Sequence, residues 1–280
     1  MKWEGREESE NVEDRRRFGP RTLVAGGGVG AILVVILGLA LGIDPRQLAE
    51  VEQPGPRGPA DPTEERQAKF SKVIFHDTEV IWDELFRKIN KRYQKPVLVL
   101  FSGRADSACG LADSAIGPFY CPGDSRVYID LGFFGDMERK LNAPGEFARA
   151  YVIAHEVGHH VQRLLGYADQ VDQARRRGSK TQANQMSVRL ELQADFLAGV
   201  WAYHGQRKYN FLQPGDVESA LQAAFEIGDD RLQKKGRGYV VPDSFTHGTS
   251  QQRMRWFKRG FDRGDVDEAH QLFDLSYSEL

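Results

Sequence analysis

Residues 151–165 read YVIAHEVGHHVQRLL, and within them His155-Glu156-Val157-Gly158-His159 places two imidazoles four positions apart with a carboxylate directly after the first. On a helix, positions i and i+4 project from one face, so both rings can grip one zinc ion. Glu156 then points toward the open side of the metal, where it can take a proton from zinc-bound water. Catalytic zinc usually has three protein ligands and one open position, so a third ligand is required. One solution is a histidine six residues after the second, but Leu165 stands there. The other is a glutamate on a later helix, and residues 190–199, LELQADFLAG, offer Glu191 with Asp195 four positions on. Glu191 is expected to coordinate Zn2+, and Asp195 to accept a hydrogen bond from the ring N–H of His155, fixing its tautomer. Leu190, Ala194, Leu197, Ala198 and Trp201 lie near the same side of that helix. Two carboxylates beside an apolar stripe are costly to bury unless a metal and a histidine compensate them. The competing reading is two plain helices, one with half-buried histidines and one with solvated carboxylates.

Further groups extend this constellation. His247 lies in THGTSQQR, just ahead of a helix that Thr249 or Ser250 would cap. A histidine there can donate to the oxyanion of a tetrahedral intermediate, and a structural loop histidine is the alternative. Arg253, one turn later, reads as a surface arginine, with pairing to a site carboxylate as the other option. The strand candidate Val127–Leu131, with Gly117–Cys121 before it, would bind a peptide backbone by β-addition. Phe119, Tyr120 and Tyr128 would then line the cleft, unless they are core. His76, His160, His204 and His270 lack a partner motif and read as structural or exposed, and Arg175-Arg176-Arg177 reads as a solvated loop.

The paired motifs H-E-x-x-H and E-x-x-A-D resemble those of gluzincin metallopeptidases. More closely, SGRADSACG (102–110), GPFYCPGD (117–124), VYIDLGFF (127–134), AHEVGHHVQ (154–162), ELQAD (191–195) and HGTSQQR (247–253) resemble the neutral zinc metallopeptidase family of bacteria. The resemblance covers about residues 70–275. It implies a membrane-anchored zinc peptidase with His155, His159 and Glu191 as ligands and Glu156 as catalyst, and it implies no particular substrate.

Several elements must position these groups. Val80, Ile81, Leu85, Phe86 and Ile89 recur at helical spacing over 78–92, and VLVLF after Pro96 and VYIDL at 127–131 read as short strands. Helices are expected near 146–165, 181–205, 215–234, 250–261 and 265–275. Many helices behind a small sheet define an α+β class, here a mainly helical, zincin-like domain. Thirty-eight basic against 40 acidic side chains are too balanced for a nucleic-acid binder by bulk electrostatics, so no nucleic-acid partner is expected. With 40% hydrophobic residues the chain can build a core.

From Leu23 to Ile43 the sequence carries no charge, and at about 1.5 Å per residue a helix of that length spans a bilayer's hydrocarbon core of roughly 30 Å. Arg15, Arg16, Arg17 and Arg21 precede it and only Arg46 follows closely, which predicts a cytoplasmic N-terminus and an extracytoplasmic domain. The expected organisation is a cytoplasmic tail (1–22), one transmembrane helix (23–43), a Pro/Gly-rich linker (44–68) and a zinc metallopeptidase domain (69–280), with the lipid bilayer as partner. A cleaved signal peptide is the alternative, though no clear cleavage site follows the apolar run. Export would permit a disulfide between Cys109 and Cys121, the other possibility being two free thiols. The function expected is a membrane-anchored peptidase acting on a peptide or protein substrate. The rivals are a zinc amidase acting on cell-wall peptides, a non-catalytic zinc-binding scaffold, and a regulator whose helices only mimic the motif.

Overall fold

A computed structural model describes residues 1–16, 61–113 and 117–280. The predicted span at 23–43 lies outside the described residues. Among the described residues no helix is long and apolar enough to cross a membrane.

The first strand, β1 (Val12–Asp14), comes from the N-terminal segment. The long helix α1 (Pro62–Lys88) follows, then β2 (Val97–Phe101), the hairpin β3 (Arg104–Ser107) and β4 (Gly110–Asp113), β5 (Phe119–Cys121) and β6 (Arg126–Asp130). The rest is helical: α2 (Gly132–Arg139), α3 (Glu146–Leu165), α4 (Tyr167–Arg177), α5 (Lys180–Tyr209), α6 (Asp216–Glu226), α7 (Asp229–Arg237), α8 (Ser250–Arg263) and the short α9 (Gln271–Asp274). The main sheet runs β1-β2-β6-β5. β1, β2 and β6 are parallel, and β5 returns antiparallel to β6 at the edge. The architecture is therefore mainly helical α+β, as the pattern predicts.

Two expected boundaries move. Residues 1–16 are not a separate tail, because Val12, Glu13 and Asp14 pair in register with Leu98, Val99 and Leu100, and Trp3 is buried in the main core. Nor do residues 62–68 belong to a linker. Asp61 caps α1 by accepting from the Thr63 N–H, Pro62 occupies the first turn where its missing N–H costs nothing, and Glu64 and Glu65 favour the positive helix end.

The helix expected over 215–234 breaks at Ile227-Gly228. A Cβ at Gly228 would sit 2.4 Å from the Ser250 nitrogen, so the chain passes there too closely for a side chain. Elsewhere the ends follow their caps. Ser179 forms a capping box with Gln182, Thr249 forms one with Gln252, and Gly166 ends α3 in the left-handed region. Ser250 does not cap; its hydroxyl donates to the Phe225 carbonyl. Cys109 and Cys121 are disulfide-bonded, tying the tip of the β3–β4 hairpin to the end of β5.

Candidate metal centre

Helices α3 and α5 cross in direct contact. A Cβ at Gly158 would stand 3.0 Å from the Ala194 carbonyl oxygen, so glycine inside the H-E-x-x-H turn lets the two backbones approach. That closeness brings Glu191 onto the two histidines. His155 Nε2 lies 3.3 Å from one Glu191 oxygen and His159 Nε2 lies 3.6 Å from the other. Ligands about 2.0–2.2 Å from a tetrahedral zinc are separated by roughly 3.3–3.6 Å, which is the spacing of each histidine from the carboxylate, and one donor atom from each of the three residues lies within 4.8 Å of the others. They are the His/His/Glu group able to hold a metal among the described residues.

A buried network supports His155. Its Nδ1 donates to Asp195 Oδ1 at 2.8 Å, and Asp195 is fully buried. The same carboxylate accepts from the Tyr151 hydroxyl and from Arg253, through Nε at 2.8 Å and Nη2 at 2.9 Å. Arg253 is therefore not a surface arginine. It is 3% exposed and its charge satisfies the Asp195 carboxylate that burial alone would neutralise. Burial by itself opposes a charge on His155, but Asp195 and Glu191 outweigh it and hold the pKa up to about 10. A metal ion at this cluster must displace that proton.

His159 is oriented differently. Its Nδ1 donates to Gln162 Oε1 at 2.9 Å, and the Gln162 amide in turn donates to the Leu190 carbonyl on α5. Gln162 and Tyr151 lie within the motif stretch 151–165, but the sequence reading gives neither a role. Both carry the helical spacing that could have found them, since Tyr151 precedes His155 by one turn and Gln162 follows His159 by three residues.

Glu156 is buried beside the cluster, and burial raises its pKa. Its Oε2 accepts from the Tyr120 backbone N–H at 2.9 Å, so it meets the edge strand β5. His160 pins that strand to α3: its Nε2 donates to the Gln94 carbonyl at 2.6 Å and its Nδ1 accepts from the Tyr120 hydroxyl. Phe119 and Tyr120 line a cleft of about 690 Å³ together with His155, Glu156, His159 and Glu191. Tyr128 does not line it. It is core, stacked on Phe119.

His247 lines the same cleft. Asp229 holds it by accepting from the Thr246 and His247 backbone N–H groups, each at 2.7 Å, and from His247 Nδ1 at 3.2 Å. The hydrogen bond to Asp229 raises the His247 pKa. Arg175 reaches the cleft wall from the last turn of α4, where a solvated loop is expected from the sequence, and donates to Ser187.

A His/His/Glu cluster on two crossing helices beside a sheet edge defines the class as a candidate metallohydrolase. Residues 1–272 match the family described as "Putative neutral zinc metallopeptidase", and the chain belongs to that family. It is 50% identical to "Uncharacterized protein YpfJ" of Escherichia coli K12 over 282 residues, covering 96% of this chain and 98% of that protein. An uncharacterized protein of Mycobacterium tuberculosis H37Rv is 40% identical over 193 residues, 65% of this chain and 64% of its own length. No solved structure matches the chain.

Proposed function

We propose that the chain is a zinc-dependent peptidase whose metal is held by His155, His159 and Glu191. The observation that carries this reading is the meeting of three parts in one cleft: the ligand cluster, a buried carboxylate beside it, and the edge of a sheet. Zinc held there supplies a Lewis acid for a scissile carbonyl and brings the pKa of water toward neutrality.

The residues divide the remaining work. Glu156 takes the proton of the attacking water and passes it to the leaving amine, and its burial-raised pKa suits both transfers. His247 has Nδ1 engaged by Asp229, so Nε2 is the atom that donates to the developing oxyanion. The outer edge of β5 offers backbone groups to an extended peptide, and Phe119 and Tyr120 flank it. Asp195, Tyr151 and Arg253 hold His155, and Gln162 holds His159.

The test is Glu156→Gln. We expect about one zinc per chain, as in the parent, with hydrolysis of an unfolded protein substrate reduced by roughly 10²–10⁴-fold, the usual contribution of a general base. Hydrolysis at the parent rate would sink the mechanism. A Glu191→Ala chain that keeps its zinc would sink the ligand assignment.

A further inference from the structure

The N-terminal segment is built into the domain by more than one strand. Leu98 N–H donates to the Asn11 carbonyl at 2.9 Å, and Arg15 N–H donates to the Leu100 carbonyl at 2.7 Å. Trp3, 3% exposed, packs edge-on against Phe70 of α1. Two acidic residues of α1, Asp77 and Glu79, are each 1% exposed, and their partners come largely from this segment. Arg6 pairs with Asp77. Ser9 and Asn11 donate to Glu79 at 3.1 and 2.7 Å, with Lys95 as a further partner at 3.5 Å. Arg16 reaches Glu65 at 3.2 Å. Buried carboxylates need such partners, so helix α1 has the composition of a surface completed by residues 1–16.

This packing bears on topology. The uncharged run 23–43 stands between the two pieces, and one helical crossing there would separate them by roughly 30 Å of hydrocarbon. A strand hydrogen-bonded to β2 cannot lie across that distance. Two helical crossings would need about 40 apolar residues, and the run has 21. We propose that residues 1–16 and the domain they complete lie on the same side of any membrane the protein touches, so that no single crossing separates them. The excess of arginine before the apolar run orients a segment that crosses, and it does not outweigh a strand pair and a buried ion pair that require one compartment.

Topology labelling of the full chain in cells tests this. Cys109 and Cys121 form a disulfide that a reducing compartment would open, so both are replaced by serine to keep single reporters unambiguous on either side. Glu7→Cys (side chain 85% exposed) marks the N-terminal segment and Lys258→Cys (58% exposed) marks the domain. A membrane-impermeant maleimide is expected to label both in intact cells, or both only after permeabilisation. Labelling of one before and the other only after permeabilisation would overturn the proposal. Should Glu7→Cys fail to fold, Glu4→Cys, at 72% exposure, replaces it. A second readout is the melting of the protein in native membrane vesicles, followed by protease resistance. Trp3→Ala is expected to lower it by roughly 5–15 °C, because a large core side chain is lost. An unchanged melting point would mean that the segment is not docked there, and would equally overturn the proposal.

Discussion

Gln162 does for His159 what Asp195 does for His155, but as a neutral acceptor fixed from the far side by the Leu190 carbonyl. Partners of this kind typically affect metal affinity by roughly 10–100-fold when removed. Gln162→Ala is therefore expected to weaken zinc binding by that factor in competition with a chelating dye, with the fold retained. Unchanged affinity would mean that coordination alone orients the ring. Asp229 has a different role, because the hydrogen bond it accepts raises the His247 pKa. If His247 acts as a protonated donor, activity is present below that pKa and is lost as pH rises through it. Asp229→Asn removes the charge, so the alkaline limb of kcat/KM is expected to move to lower pH, toward the ordinary histidine value of about 6.5. An unmoved limb would assign it to another group. That His155, His159 and Glu191 would meet, with Asp195 on His155, was legible in the sequence because the spacing within each motif puts its residues on one helix face. Arg253 was misread as a surface residue because its reason for burial is a carboxylate 58 positions away.

At the scale of elements, two close backbone contacts made at glycines hold the site together. Gly158 sets the α3–α5 distance, and the Gly199–Gly260 pair sets the distance between α5 and α8. A Cβ at Gly199 would stand 2.1 Å from the Phe257 carbonyl oxygen, and one at Gly260 would stand 2.0 Å from that of Phe196. Gly199 lies one turn beyond Asp195 on α5, while Phe257 lies one turn beyond Arg253 on α8, so this contact brings arginine to carboxylate. Gly199→Ala is expected to push the helices apart at a cost of roughly 3 kcal/mol, lowering the melting point by about 6–12 °C. Zinc affinity should fall with it, since Asp195 loses its cation. A Tm within a degree of the parent would show that the helices part freely. Helical periodicity gave α3, α5 and α8 closely, because each has a capping residue at one end, Gly166 after α3, Ser179 before α5 and Thr249 before α8. It could not give the break at Gly228, whose cause is the backbone of Ser250 passing alongside. That break has a consequence at the site: it starts α7 at Asp229 and so frees its carboxylate to hold the loop carrying His247.

Across the whole molecule the two edges of the main sheet do different work. β5, on one edge, meets Glu156 and the cleft, while β1, on the other, closes the fold with residues from the far N-terminus. The α+β class was legible because many helices behind a short sheet leave few alternatives. The role of residues 1–16 was not, since its cause lies in pairs about 70 positions apart, such as Ser9 and Asn11 with Glu79, which no local period reports. Stability and chemistry should therefore separate. A chain beginning at Asp61 keeps every residue of the metal cluster and the cleft but exposes the outer edge of β2, leaves Asp77 without Arg6, and opens the space Trp3 fills. An unpaired strand edge invites association, and a buried carboxylate without its cation must take up a proton or open the helix that carries it. This shortened chain is expected to melt at least about 10 °C lower, given the core side chain and ion pair it loses, and to aggregate on warming. It should still take up about one zinc per chain at low temperature, because the cluster is built from α3 and α5 alone. Adding a synthetic peptide of residues 1–16 should raise the melting point again, since the docking surface is intact. A shortened chain as stable as the parent would mean that β1 contributes nothing to the fold. Loss of zinc in a shortened chain that stays folded would mean that the two edges are coupled through α1 and the sheet rather than independent.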